Sequence, residues 1–229
     1  MLGILSAGTA PGLALLCYFY LKDKYEPEPL SLVFKMFILG ALLVFPIMFI
    51  EYVIDVENLI NSNFIKSFIT VGLLEEFFKW FILIYTVYHH VEFDEPYDGI
   101  VYGVSASVGF ATAENIMYLV TNGIEVAIGR ALLPVSIHAL LGVIMGYYLG
   151  KGKFSASIRR RCLTFSILIP FILHGTYDFI INSFVNWLLI IVPFMAFLWW
   201  LALIKVKSAS SIVPREGIDD KTIRYKHIN

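Results

Sequence analysis

Residues 67–88 read SFITVGLLEEFFKWFILIYTVY, an apolar run interrupted by Glu75, Glu76 and Lys79. The run is long enough to cross the hydrocarbon core of a bilayer, which takes about 20 residues of helix. A charge at the centre of such a helix costs about 2.5–3.5 kcal/mol on insertion scales. A helix carrying these three groups therefore has to meet partners or water inside the bundle. The chain offers partners of the right kind: Glu114, His138 and His174 interrupt other apolar runs, and Asp178 lies one turn beyond His174.

The composition agrees with a membrane setting. Of 229 residues, 59% are hydrophobic and only 15% charged, against about half and a quarter in soluble domains. Mean hydropathy is +0.77. No basic patch with interleaved aromatics points to nucleic acid. Cys17 and Cys162 sit near helix ends on what reads below as the cytoplasmic side, where no disulfide is expected, and two lone cysteines make no metal motif. The N-terminus lacks the basic stretch of a cleavable signal peptide and reads as a retained first span.

Hydropathy predicts an all-α polytopic bundle of about seven transmembrane helices. They run from Leu2 to Leu21, Leu30 to Ile54, Ser67 to Tyr88, Gly99 to Thr121, Ala131 to Gly150, Cys162 to Ile181 and Trp187 to Ile204. Residues 1–204 are expected to form one transmembrane domain, and 205–229 a polar cytoplasmic tail. Short connectors leave no room for a soluble domain. Lys151, Lys153, Arg159, Arg160 and Arg161 crowd the connector after span five, the tail adds six more basic residues, and Lys22 and Lys24 lie in the first connector. Placing these segments in the cytoplasm puts the N-terminus outside and the C-terminus inside, and leaves only Lys66 and Arg130 on the outer side. The connector HHVEFDEPYD has no Lys or Arg and takes its cytoplasmic side from alternation alone.

This orientation sets depths. At 1.5 Å per residue, Glu75, Glu114, His138 and His174 fall about 10–12 Å below the outer boundary, each on a different span. Scattered structural charges would have no reason to agree in depth. His174 and Asp178 are four residues apart and share a face, as do Glu75 and Lys79. Gly99, Gly103, Ser107 and Ala111 form a small-residue stripe on span four, and Gly142, Gly146 and Gly150 continue one from His138 on span five. Such stripes let membrane helices approach closely, so these two spans are expected at the centre.

Neighbouring carboxylates in a low-dielectric site do not both ionise easily, so an acid and a base can coexist there. Glu75 and Glu76 are about 100° apart on a helix. One is expected to face the site while the other pairs with Lys79. His138 and His174 can donate to an oxyanion or relay a proton. Asp178 can fix the tautomer of His174, and Asn115 adds a neutral donor. The set fits a carboxylate that activates water against a peptide carbonyl, and it equally fits a divalent metal held by Glu and His. No HExxH run occurs, and no serine or cysteine stands in a nucleophile setting. A proton-coupled transporter, or a non-catalytic scaffold that binds membrane helices, would use similar groups without hydrolysis.

The segments Glu75-Glu76-Phe-Phe-Lys79, Phe110-Ala-Thr-Ala-Glu114-Asn115, His138 and His174-Gly-Thr-Tyr-Asp178 resemble the four signatures of the PrsW family of bacterial intramembrane proteases, of the Bacillus type. SAGTAPGLALLCYFYLKDKYEPEP and FDEPYDGIVYG resemble that family too. The resemblance implies a multi-pass cell-membrane enzyme that makes the site-1 cut in a single-pass anti-sigma factor, its partner in the bilayer, on the extracytoplasmic side. A second protease then frees the sigma factor for the envelope-stress response. The family is distantly similar to the CAAX prenyl proteases, whose site combines a Glu-Glu pair and a basic residue with FxxxH and HxxxN or HxxxD motifs. Carried over, Glu75 is the water-activating base, with His174 and Asp178 on the oxyanion side. Here Glu114 stands where those enzymes have histidine, and His138 is the imidazole available to replace it. With no soft ligand set, the expectation is a glutamate-type enzyme with no cofactor and no metal.

Overall fold

The computed structural model describes residues 1–23 and 27–211, all of it helix and connection. Seven long helical segments follow one another. α1 is Leu2–Tyr20 and α2 is Leu30–Val56. α3 starts as Asn63–Ile65, widens into π-helical turns over Lys66–Leu73 and continues as Leu74–Thr86. α4 is Asp98–Asn122. α5 covers Ile124–Lys153, entering through short 3-10, α and π turns before the regular helix Ser136–Lys153. α6 is Arg159–Ser183 and α7 is Trp187–Ala209.

The expected elements are all present, with corrected ends. The seventh helix continues five residues past Ile204, so the start of the expected tail is helical, and residues 212–229 of that tail lie outside the described residues. The connector expected at NGIEVAIGR is largely coiled into the entry of α5. Pro134 sits in its π-helical part, where the missing N–H of proline already interrupts the regular ladder. Five segments (α1, α2, α5, α6 and α7) are long and apolar enough to span a bilayer. The other two carry much of the polar load. In α3 the regular helix is 13 residues and holds Glu75, Glu76 and Lys79, and α4 is rich in Gly, Ser, Ala and Thr.

α4 can be so polar because protein surrounds it. Every residue from Asp98 to Thr112 is buried. α1 and α2 pack against it on one side and α5 on another. The two small-residue stripes meet as expected: a β-carbon on Gly146 would strike the carbonyl of Gly99, and one on Gly103 that of Gly142. α6 and α7 pack on the far side of α5, and α3 lies against both α2 and α6. Outside this core, Phe34, Phe45, Phe49, Leu189 and Trp200 are exposed. Such a face suits lipid rather than water.

A second polar knot ties the opposite end of α4. Asp98, the first residue of α4, accepts backbone N–H groups of Asp94 and Glu95, at 2.8 and 2.6 Å, and so ties the preceding connector to the helix start. The Tyr102 hydroxyl donates to the buried carboxyl of Glu28, and Tyr20 donates to the Glu28 backbone carbonyl at 2.9 Å. Burial first, then the charge of Asp98, pushes the Glu28 carboxyl up to about 10. Burial likewise raises Asp98 to about 7.

Candidate active site

Glu75 and Glu76 follow directly on the π-helical turns of α3. There Gly72 packs so closely on Gly175 of α6 that a β-carbon would lie 2.9 Å from the Gly175 nitrogen. This approach brings the first turn of the regular part of α3, Leu74 onward, beside His174. The Lys79 ammonium, one turn later, donates to Glu75 Oε2 at 3.0 Å and to Glu76 Oε1 at 2.8 Å. It also lies 3.0 Å from His138 Nδ1 and 4.2 Å from the centre of the Phe110 ring. The expected division between the two glutamates holds only in part: of the two, Glu75 alone lines a cavity, but Lys79 pairs with both. Both reach Lys79, because a long side chain at i+3 of one and i+4 of the other can sit between them.

The helices converge as the common depth implied. His174 Nδ1 is 2.9 Å from Glu76 Oε1 and 4.0 Å from Glu75 Oε2. Its other nitrogen is 3.4 Å from Asp178 Oδ2. His138 Nε2 is 3.2 Å from Glu114 Oε2 and 4.0 Å from Glu75 Oε2, and the two imidazoles meet edge to face with centres 5.0 Å apart. Glu75, Glu76, Lys79, His138 and His174 are all buried. A cavity of about 690 Å³ opens beside them, with Glu75, Glu114, His138, His174 and Asp178 in its wall. Glu76 is enclosed behind it. Asn115 does not join the cluster: its amide donates to the Gly8 carbonyl of α1 at 3.1 Å.

Two residues that sequence reasoning set aside belong here. Arg130, counted only as an outer-side charge, donates to Glu114 Oε1 at 2.7 Å and to Asn115 Oδ1 at 3.0 Å. Glu51 of α2, which the sequence analysis passed over, has a buried Oε1 without a hydrogen-bond partner and lies within electrostatic reach of Glu75, Glu114, His174 and Asp178. Its place three residues before Ile54 was visible in the sequence, but its rotation toward the site was not.

The donor set suits a metal ion. Glu75, Glu76, His138 and His174 each offer a ligand atom, all within 4.8 Å of one another. Two carboxylates and two imidazoles match zinc or a similar first-row cation. Glu76 Oε2 is buried with no hydrogen-bond partner. Lys79 already draws three of these residues around a positive charge. Lys79 and Arg130 pair with Glu75, Glu76 and Glu114, while His138 and His174 lie 2.9–4.0 Å from the carboxylate oxygens of Glu75, Glu76, Glu114 and Asp178. Uncompensated carboxylates in such surroundings are costly.

Comparison with known proteins agrees. A family model described as "PrsW family intramembrane metalloprotease" matches residues 28–204. The chain is 58% identical to "Protease PrsW" of Bacillus subtilis (strain 168), over 93% of this chain and 98% of that one. It is 58% identical to the Geobacillus kaustophilus protein of the same name, over 95% and 97% of the two chains. For the Clostridioides difficile protein of that name the identity is 35%, over 81% and 82%. No solved structure matches. The family description overturns the expectation of a site without metal or cofactor. The reasoning behind that expectation treated soft thiolates as necessary, whereas a buried cluster of carboxylate and imidazole can hold a borderline cation without them.

Proposed function

This chain belongs to the PrsW family of intramembrane proteases, and from that premise we propose that it is a metal-dependent endopeptidase making the first cut in a single-pass membrane anti-sigma factor. The cut falls on the extracytoplasmic side, with the N-terminus of the enzyme outside and its C-terminus in the cytoplasm. Release of the sigma factor in envelope stress follows from a second cut made elsewhere. The observation that carries the reading is the meeting of Glu75, Glu76, His138 and His174 in one buried cluster, with Glu75, His138 and His174 in the wall of a cavity.

Glu76, His138 and His174, with Glu75 beside them, are the residues that would hold the metal. When bound, a divalent ion supplies Lewis acidity toward a peptide carbonyl and lowers the pKa of water. Glu75 is the better base of the pair, because it lines the cavity while Glu76 is enclosed. Its carboxylate takes the proton of the attacking water and returns it to the leaving amine. Glu76 steadies His174 and Lys79, and the Asp178 carboxyl lies 3.4 Å from the far nitrogen of His174, near enough to favour its charge. Lys79 keeps both glutamates from repelling one another. The cavity admits an extended stretch of chain, and the surrounding helices keep bulk water from the scissile bond.

The test is cleavage of a tagged single-pass substrate by purified full-length protein. Glu75→Gln is expected to lower the rate by about 10²–10⁴. Unchanged cleavage would remove Glu75 from the mechanism.

A further inference from the structure

We propose that Arg130 is a positioning residue of the active site, acting through Glu114 on the ring of His138; the proposal rests on the metallopeptidase reading above. Glu114 uses its two oxygens for two different partners, Oε1 for Arg130 at 2.7 Å and Oε2 for His138 at 3.2 Å. His138 in turn is one of the four clustered donors. A carboxylate on the second nitrogen of a metal-binding histidine sets its ring orientation and tautomer. Glu114 is itself a quarter exposed to the cavity and has room to swing away. What holds it is a guanidinium fixed at three points on α4: Glu114, Asn115 and the face of Tyr118, whose ring centre lies 4.1 Å away.

Arg130 reaches α4 from the other side of the cavity. It sits on the Ile124–Val135 strap, whose Glu125, Val126, Gly129 and Leu133 line the same space. The strap is thus a wall of the active site, and its only ion pair among the described residues lies on the path to His138. Lysine cannot replace this group fully. It lacks the planar fork that serves two acceptors while lying flat on an aromatic ring.

The experiment uses full-length protein purified in detergent and stripped of metal. Zinc alone is titrated against a chromophoric chelator, and kcat and KM are measured on a single-pass substrate. The variants are Arg130→Ala, Arg130→Lys, Glu114→Gln and the double variant Glu114→Gln with Arg130→Ala. Lys66→Ala, which removes a half-exposed pair with Asp55, is the control. Arg130→Ala is expected to weaken zinc binding about tenfold or more, to lower kcat similarly and to leave KM within about threefold. Arg130→Lys should fall between it and wild type. In the Glu114→Gln background, the arginine change should add less than about twofold, because one path carries both effects. An equal loss in that background, a change in KM alone, or wild-type zinc affinity in Arg130→Ala would each overturn the proposal. If Arg130→Ala does not fold, Arg130→Lys in the same cycle decides. Absence of cleavage by zinc-loaded wild-type protein would instead sink the peptidase reading, and the zinc titration would still judge Arg130.

Discussion

Replacing Lys79 by methionine keeps most of its volume and removes its charge. Its ammonium is completely buried and donates to two buried carboxylates, at 3.0 and 2.8 Å, so no water can take over. Removing one partner of a buried ion pair costs about 3–5 kcal/mol, because the remaining charge is left unpaired. For a chain of this size that corresponds to a fall in melting temperature of roughly 6–20 °C. The effect should depend on metal. In metal-free protein the two glutamates have lost their main counter-charge. A divalent cation among Glu75, Glu76, His138 and His174 replaces it, so zinc should recover a large part of the loss. Thermal unfolding in detergent, with and without added zinc, reads both quantities. A Lys79→Met protein that melts with wild type in the absence of metal would refute the reasoning, since it would mean that these carboxylates need no cation.

The other expectations probe separate parts of the molecule. Glu28 is held protonated in the folded protein up to about pH 10 and Asp98 up to about 7, whereas in the unfolded chain both ionise near pH 4. Folding is therefore favoured most below about pH 4 by this pair, and the contribution shrinks as pH rises through 7 toward 10. Gln at position 28 keeps an acceptor for Tyr102 and carries no proton to lose, so Glu28→Gln should gain on wild type in melting temperature between pH 6 and 9; parallel curves would count against the pair. Gly146→Leu drives a side chain into the Gly99 carbonyl and should destabilise by at least about 1–3 kcal/mol, seen as loss of folded protein after extraction. A cysteine placed at Val185, which is 97% exposed, should react with an impermeant thiol reagent in intact cells, and one at Lys151 only after lysis; the reverse pattern would invert the proposed topology.

What the sequence made legible was periodic or costly. Apolar runs marked the helices, and the expense of burying Glu75, Glu114, His138 and His174 marked the site; their agreement in depth survives as distances of 4.0 Å or less between partners on different helices. Glycine stripes foretold the α4–α5 contact because close approach leaves no space for a β-carbon. What stayed hidden depended on rotation and reach. Glu75 and Glu76 share Lys79 through the length of its side chain, which helical angles alone do not express. Arg130 sits in a stretch that reads as a connector, and only the coiling of Ile124–Val135 back over the cavity brings it to Glu114. Glu51 faces the site because α2 packs closely on α4, where a β-carbon at Gly40 would meet the Ala106 carbonyl. The metal was read as one of two fits and then set aside for a chemical reason, since the donors are oxygen and imidazole nitrogen with no thiolate to announce them.

The most direct measurement is cleavage of a single-pass substrate by purified full-length protein before and after exhaustive removal of metal, with zinc then restored. Activity should vanish on removal, return with zinc, and be absent throughout in His174→Ala, whose imidazole is one of the four converging donors. Undiminished cleavage by protein shown to contain no metal would contradict the account at its centre.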